Sequence, residues 1–237
     1  MYHNKTIACV IPARLGSSRF PNKPLAKING REMVLRVADI AKQSKHLDEI
    51  IIATEDKIIQ DLATDNEYHS VITNSHYTCT HRVAEVAQAI DFDFIFNLQG
   101  DEPLSDPNHL DYIIEYGIDN ELDMVQPIRK NLEGDNENPD VVQVIVNNGK
   151  VLYLMRIPEV ITENVYPQLG YYFYKREVID DYKNLDMSFV KYWKGLDTIA
   201  FCGKYDVVPL LLPNCGRQQG VDRPEHIKII EKELSEI

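Results

Sequence analysis

No aspartate or glutamate occurs before Glu32, although the 237-residue chain holds 37 acidic residues and a formal net charge of −12. Over that opening stretch Lys5, Arg14, Arg19, Lys23, Lys27 and Arg31 are all basic. A basic, Gly/Ser/Pro-containing segment in an acidic protein has two readings: it binds a small anion, or it pairs with acids elsewhere in the fold. The overall acidity argues against a nucleic-acid surface. No apolar run approaches the ~20 residues of a membrane helix. No charged stretch leads into an apolar segment and cleavage site, so the expectation is a cytoplasmic protein without a signal peptide or membrane contact. Cys9, Cys79, Cys202 and Cys215 form no CxxC pair and are expected as free thiols, not a disulfide or zinc site. There is no Walker GK[ST], no GxSxG elbow and no Cys/His pair, which leaves P-loop and covalent chemistry without support.

What is present reads as strand and helix in alternation. Residues 6–12 form an Ile/Val-rich buried strand, 13–30 a long loop, and 31–44 a helix with Met33, Val34, Val37, Ile40 and Ala41 on one face. Residues 49–54 are a second buried strand, 56–66 a helix and 70–73 a brief strand. Thr80 is expected to cap a helix running to Ile90. Residues 92–98 form a third apolar strand that ends at Gln99-Gly100-Asp101-Glu102-Pro103, and Asp106-Pro107 opens a helix to about Gly117. This alternation predicts an α/β fold with a doubly wound, mostly parallel sheet.

The second half differs. Residues 141–147 and 150–155 flank Asn148-Gly149, a strong hairpin signal. Residues 169–174 form a strand whose Tyr171, Tyr172 and Tyr174 alternate between core and surface; helical stretches at 175–182 and 187–201 and a strand at 205–212 follow. Asp222 with Glu225 caps a final helix. The sheet is therefore mixed, with an antiparallel insertion. Residues 133–140 (EGDNENPD) read as a polar surface loop marking a lobe boundary within one domain.

Ligands in open α/β sheets sit beyond the carboxyl ends of strands. Two loops leave such ends with suggestive chemistry. The first, 13–23, offers backbone amides around Gly16, Ser17 and Ser18, with Arg14, Arg19 and Lys23 for phosphate oxygens. The second, 99–103, offers Asp101 and Glu102. A carboxylate facing a phosphate site is repelled unless a divalent cation lies between, and Mg²⁺ takes one or two carboxylates plus phosphate oxygens and water. Asp222 is either a second such carboxylate or a plain helix cap. His69, His76 and His81 match no usual zinc spacing and are read as surface or structural residues.

Residues 11–25 (IPARLGSSRFPNKPL) resemble the opening signature of the 3-deoxy-manno-octulosonate (Kdo) cytidylyltransferases, also called CMP-Kdo synthetases. Matches follow in order at 28–33 (INGREM), 80–86 (THRVAEV), 97–103 (NLQGDEP) and 220–225 (GVDRPE), so the resemblance spans nearly the whole chain. It implies a nucleotidyltransferase fold and a transferase of CMP from CTP to the anomeric hydroxyl of Kdo or a related 2-keto-3-deoxy acid sugar, with release of pyrophosphate. The implied cofactor is Mg²⁺, the implied assembly a homodimer, and the implied pathway lipopolysaccharide or capsule biosynthesis. The resemblance also implies a nucleotide-binding part at about 1–130, a sugar-binding and dimerisation lobe at about 131–205, and a C-terminal metal loop and helix at 206–237.

Carried over by position, Lys23, Arg19 and Asp101 are catalytic. Ala13, Arg14, Gly16, Ser17, Arg19, Lys23, Thr80 and Arg82 bind nucleotide; Asp101 and Asp222 hold the metal; and Gln99, Arg156, Gln168, Tyr171 and Lys194 face the sugar. The departures concentrate in the sugar half. Gln168 stands where the family usually has His, Thr78-Cys79-Thr80-His81 replaces a Ser-Gly-Thr-acid run, and Trp193-Lys194-Gly195-Leu196-Asp197 takes the place of the late acidic helix. These changes keep two alternatives open: a cytidylyltransferase for another acidic acceptor such as a different sugar or a phosphonate, or a glycosyltransferase or nucleotide-sugar binder of the same fold.

Overall fold

The computed structural model describes residues 1–156, 163–188 and 196–236. Its centre is a seven-stranded sheet. In chain order the first elements are β1 (Ile7–Ala13), a small β2/β3 hairpin that forms its own two-stranded sheet (Lys27–Ile28 and Arg31–Glu32), α1 (Met33–Ala41), β4 (Glu49–Thr54), α2 (Lys57–Asp65), β5 (His69–Ile72), α3 (Cys79–Ala89), β6 (Phe94–Leu98), α4 (Pro107–Asp119) and β7 (Met124–Ile128). The chain continues through β8 (Val142–Asn147), β9 (Lys150–Arg156), β10 (Val165–Pro167), β11 (Tyr171–Lys175), α5 (Arg176–Asp180), α6 (Ile199–Cys202), β12 (Val207–Leu211) and α7 (His226–Ser235). The central sheet runs β12-β7-β11-β6-β1-β4-β5. Only β11 is antiparallel to its neighbours, so the expected doubly wound, mostly parallel sheet is what forms.

β1 shows why the sheet is covered on both faces. All seven of its residues are buried. Ile7, Cys9, Ile11 and Ala13 pack with α1, α2 and α4 on one side, whereas Ala8 and Val10 pack with α3, α5 and the β8/β9 hairpin on the other. A near-continuous apolar run is what a strand buried on two faces requires. β11 obeys the same rule: Tyr171 and Phe173 enter the first core, Tyr172 and Tyr174 the second. The expected core-to-surface alternation of these tyrosines is therefore replaced by core on both sides.

Several boundaries follow local chemistry. Asn148 and Gly149 both take positive φ (48° and 73°), the primed turn that joins β8 to β9. Thr78, not Thr80, caps α3: its hydroxyl accepts from the His81 amide at 3.3 Å, a cap contributing ~1 kcal/mol. β7 is an interior strand without a clear sequence signature, because Gln126 and Pro127 interrupt its five residues. The third core is small but positional. Ile28, Met33, Val221 and Ile230 join the β2/β3 hairpin to α7, so the C-terminal helix anchors the first loop. The helical stretch expected at 187–201 falls partly on residues outside the described set; within that set it holds α6.

Candidate active site

The chain runs β1, β4, β5 toward one edge and then crosses back to place β6 on the other side of β1. The loops leaving β1 and β6 diverge at this switch point, which opens a crevice. A cleft of about 760 Å³ lies there, and it receives residues from both loops, from β11 and from the loop before α7.

The first loop is held by its own backbone. The Leu15 amide donates to Asp56 at 2.7 Å, and the Leu15 carbonyl accepts from the amides of Ser17 (2.8 Å) and Asn22 (3.1 Å). The Ser17 amide is thus spent inside the loop, and its hydroxyl accepts from Phe20 N–H at 3.3 Å. Asn22 turns the chain with φ 57°, and the short helical turn Lys23–Leu25 follows. Lys23 then reaches across the crevice. Its ammonium donates to the Asp101 carboxylate at 2.5 Å and to the Val221 carbonyl at 2.7 Å. Burial pulls the Lys23 pKa down, but Asp101, with Asp222 behind it, outweighs this and the net shift is upward, so the ammonium stays charged. Arg19 divides its guanidinium between Asp140 and Asp222, each at 2.6 Å. Arg14 donates to the His76 carbonyl at 3.2 Å. Ala13, Gly16 and Ser17 line the same wall.

Three glycines let the second loop and its neighbours close in. A Cβ at Gly100 would lie 2.9 Å from the Pro12 carbonyl, and one at Gly170 only 2.1 Å from Glu102 Oε1. A Cβ at Gly220 would sit 3.2 Å from the same Glu102 oxygen. The Glu102 carboxyl is therefore wedged between two chain segments. Burial, and then the charges of Asp101 and Asp222, push its pKa well above the usual carboxylate range. The Val221 amide donates to the Asp101 carbonyl at 2.9 Å, which ties the C-terminal loop to the β6 loop. Asp222 does not cap α7. Its carboxylate turns to Arg19, its amide donates to His226 Nδ1 at 3.2 Å, and α7 starts without a side-chain cap. Burial, with Asp101 nearby, raises the Asp222 pKa. Asp101 and Asp222 are thus two carboxylates in each other's field, with a lysine and an arginine against them.

The basic segment lines the cleft, and Arg19 and Lys23 in it are paired with acids from elsewhere in the fold. One source of those acids is the stretch 133–140, which is no free surface loop. Asp135, fully buried at its side chain, binds Arg129 in two-pronged fashion (2.5 and 3.0 Å) and Arg217 at 2.9 Å. Asp140, 7% exposed, holds Arg19 and Arg223. The segment is a strap that fastens arginines across the mouth of the cleft. Its sequence signal was four acids in eight residues within a chain whose first loop has only bases.

The other half of the cleft carries Gln99, Arg156, Gln168 and Tyr172. Gln99 Nε2 donates to Asn97 at 3.0 Å. Arg156 donates to the carbonyls of Pro139 (2.8 Å) and Asp140 (3.1 Å), and burial lowers its pKa. The Gln168 Oε1 atom is buried without a hydrogen-bond partner among the described residues, an atom that seeks a donor. Asp197, missed in the sequence, lines this half at 8% exposure, where its Oδ2 accepts from the Tyr182 hydroxyl at 3.1 Å. Cys79 also faces the cleft, with burial raising its thiol pKa to about 11, too high for a nucleophile.

Two expected contacts lie elsewhere. Arg82 is fully buried behind α3, donating to Thr73 at 2.9 Å with Glu55 at 3.3 Å, and does not line the cleft. Tyr171 points into the first core and donates to Gln218 at 2.6 Å; strand alternation gives its place to Tyr172. Thr80 lines the cleft but is 2% exposed and bonds the Tyr174 phenol. Lys194 and Trp193 lie outside the described residues. His69, His76 and His81 have separate partners in Glu49, Glu85 and Thr78.

Comparison with known proteins gives this arrangement its class. A profile of the cytidylyltransferase family matches residues 8–199. A 3-deoxy-manno-octulosonate cytidylyltransferase of Nitratidesulfovibrio vulgaris (strain Hildenborough) is 33% identical over 246 residues, covering 98% of this chain and 97% of that protein. One from Polynucleobacter necessarius is 32% identical over 244 residues, covering 95% and 94%. Among solved structures, CMP:2-keto-3-deoxy-manno-octonic acid synthetase complexed with CTP superimposes with a TM-score of 0.87 at 27% identity, covering 98% of this chain and 99% of that one. A 4-diphosphocytidyl-2C-methyl-D-erythritol synthase from Anaerococcus prevotii shares the fold alone, at TM-score 0.65 and 16% identity. The fold and cleft are those of a nucleotidyltransferase. The chain belongs to the cytidylyltransferase family.

Proposed function

We propose that this cytidylyltransferase transfers CMP from CTP to the anomeric hydroxyl of Kdo or a related 2-keto-3-deoxy acid sugar. The observation that carries the reading is the meeting of Lys23 with Asp101, and of Arg19 with Asp222, at the switch point of a sheet shared with CMP-Kdo synthetase. The sugar's anomeric oxygen attacks the α-phosphorus as its hydroxyl proton is released to solvent. The bond from that phosphorus to the α,β-bridging oxygen breaks, and pyrophosphate leaves. Such a transfer depends on positioning and on stabilising charge more than on a covalent nucleophile. Arg14, Arg19 and Lys23 bind the triphosphate and neutralise charge on the departing pyrophosphate. Gln99 lies toward the ribose or sugar, and Arg156 takes the acceptor's carboxylate, with Gln168, Tyr172 and Asp197 around its hydroxyls.

Mg²⁺ fits the residues present. Asp101 and Asp222 supply the one or two carboxylates that this ion takes when phosphate and water complete its shell, and the Asp222 pKa is raised partly by Asp101, a repulsion that a cation between them relieves. Among the described residues no group of three or more His, Cys, Asp or Glu side chains could cage a metal. Bound there with the triphosphate, Mg²⁺ would offset phosphate charge. The homodimer belongs to the same proposal; sedimentation as a monomer at every concentration would overturn it.

The test is pyrophosphate release with CTP, Mg²⁺ and a panel of 2-keto acid sugars, with other nucleoside triphosphates and nucleotide sugars as controls. Turnover is expected with CTP and an acid sugar. No turnover with any acceptor from folded protein overturns the reading.

A further inference from the structure

We infer that Asp140 is a positioning residue for Arg19, gripping one side of the guanidinium so that the other side is presented to the triphosphate. The inference rests on the cytidylyltransferase reading and adds to it a residue from the strap, far in sequence from both loops of the cleft.

The geometry is asymmetric. Asp140 Oδ1 takes Arg19 Nη1 at 2.6 Å, its Oδ2 takes Arg223 Nε at 2.9 Å, and its backbone carbonyl takes Arg156 Nη1 at 3.1 Å. Its own amide is held by Asn138 Oδ1 at 2.9 Å. The carboxylate is 7% exposed, whereas the Arg19 side chain is 44% exposed. The rigid partner is therefore the acid and the mobile one the arginine. An arginine left free in a cleft must lose rotamer entropy when it takes a phosphate. An anchored guanidinium has lost that freedom already.

The two grips on Arg19 also differ in kind. Burial alone would push Asp140 up, but Arg223 and Arg19 outweigh it and hold its pKa below the ordinary value. Asp222 is the more exposed of the two acids, at 21% against 7%, and where Asp140 holds two arginines its carboxylate holds one. The Asp140 contact is thus the settled one, and the Asp222 contact is the one an incoming anion can displace. Arg19 trades Asp222 for a phosphate oxygen through Nη2 while Nη1 stays on Asp140. Arg223, the second partner of Asp140, does not line the cleft.

The experiment compares wild type, Asp140→Asn, Arg19→Ala and the double variant. It reads CTP binding by calorimetry, the KM for CTP and for the acceptor, and the melting temperature. Asp140→Asn is expected to weaken CTP binding and raise its KM by about 10- to 100-fold, the scale of losing one oriented charge contact, while the acceptor KM stays within about twofold. In the Arg19→Ala background the same change is expected to add less than about twofold, because coupled residues are not additive. An equal loss in both backgrounds overturns the inference, since Asp140 would then act through the fold. Unchanged CTP binding in Asp140→Asn, with wild type binding CTP normally, overturns it alone. Wild type that fails to bind CTP removes the functional reading and the inference with it. A measurement without variants covers the case in which Asp140→Asn does not fold. In a crystal structure of the wild-type CTP complex Arg19 Nη1 is expected on Asp140 and Nη2 on a phosphate, and an Arg19 that has left Asp140 overturns the inference.

Discussion

Adding one methyl group at Gly170 is expected to disable the site while leaving the fold standing. A Cβ there would lie 2.1 Å from Glu102 Oε1, 2.8 Å from Cδ and 3.0 Å from Cγ, where ordinary contact begins at 3.4 Å. The Glu102 carboxyl must therefore retreat by about 1.3 Å. The carboxyl is buried and held where it is by a hydrogen bond from the Gly170 backbone, so moving it away from an added Cβ breaks that contact. The movement passes to Asp101, the next residue, and so to its contact with Lys23. Overpacking of this kind costs ~1–3 kcal/mol of stability, or about 2–12 °C in melting temperature for a chain of this size. A displacement of ~1 Å at reacting groups costs about 100-fold in rate. The assay is kcat/KM for CTP by pyrophosphate release, beside a thermal melt of Gly170→Ala. The control is Gly170→Ala placed in a Glu102→Ala background, which removes the obstructing carboxyl and should make the added methyl nearly silent. Activity of Gly170→Ala within threefold of wild type would refute the claim that the three glycines set the distance between these loops.

Other consequences are testable in the same assays. Lys23→Ala and Asp101→Asn should each fold normally by circular dichroism and lower kcat by at least about 100-fold, the scale of a removed charge stabiliser; near-normal rates would take either residue out of the mechanism. Asp135→Asn leaves Arg129 buried without its anion and should cost about 3–5 kcal/mol in urea unfolding; a loss below about 1 kcal/mol would mean the strap is dispensable. Burial acts to raise the Asp135 pKa, but Arg129 outweighs it and the folded value lies below the ordinary one. The stabilisation is then present above the unfolded pKa near ~4 and fades as pH falls through the folded one, so the gap between wild type and Asp135→Asn should narrow in acid. Removing divalent cations with EDTA should abolish turnover, and Mg²⁺ should return it; full activity in excess chelator would exclude Mg²⁺ from the site.

Much of this molecule is legible as pattern. The runs at β1, β4 and β6 are apolar because strands covered on both faces need apolar residues at every position, and that property survives in a linear string. Asn148-Gly149 specifies its turn because both residues tolerate positive φ. The two cleft loops could be located from their place after those strands and from their resemblance to a known family. β7 escaped notice because Gln126 and Pro127 break its pattern and only neighbouring strands on either side hold it in the sheet. Arg82 looked like a ligand contact by position in a motif; whether a helical side chain faces a cleft or a core depends on what packs behind it, and Thr73 and Glu55 stand there.

By itself, then, the sequence determined the alternation of elements, the class of fold and the presence of a basic loop after one strand and an acidic loop after another, because each of these is written in local periodicity or local charge. Only the tertiary structure decided which charges meet. It brought Asp140 to Arg19, 121 positions away, and Asp222 to the same guanidinium, 203 positions away. It moved the cleft-facing role from Tyr171 to Tyr172, and it wedged Glu102 between two glycines from separate loops. Those outcomes follow from loop closure across a sheet switch point, and a partner so distant along the chain leaves no periodic trace in the residues on either side.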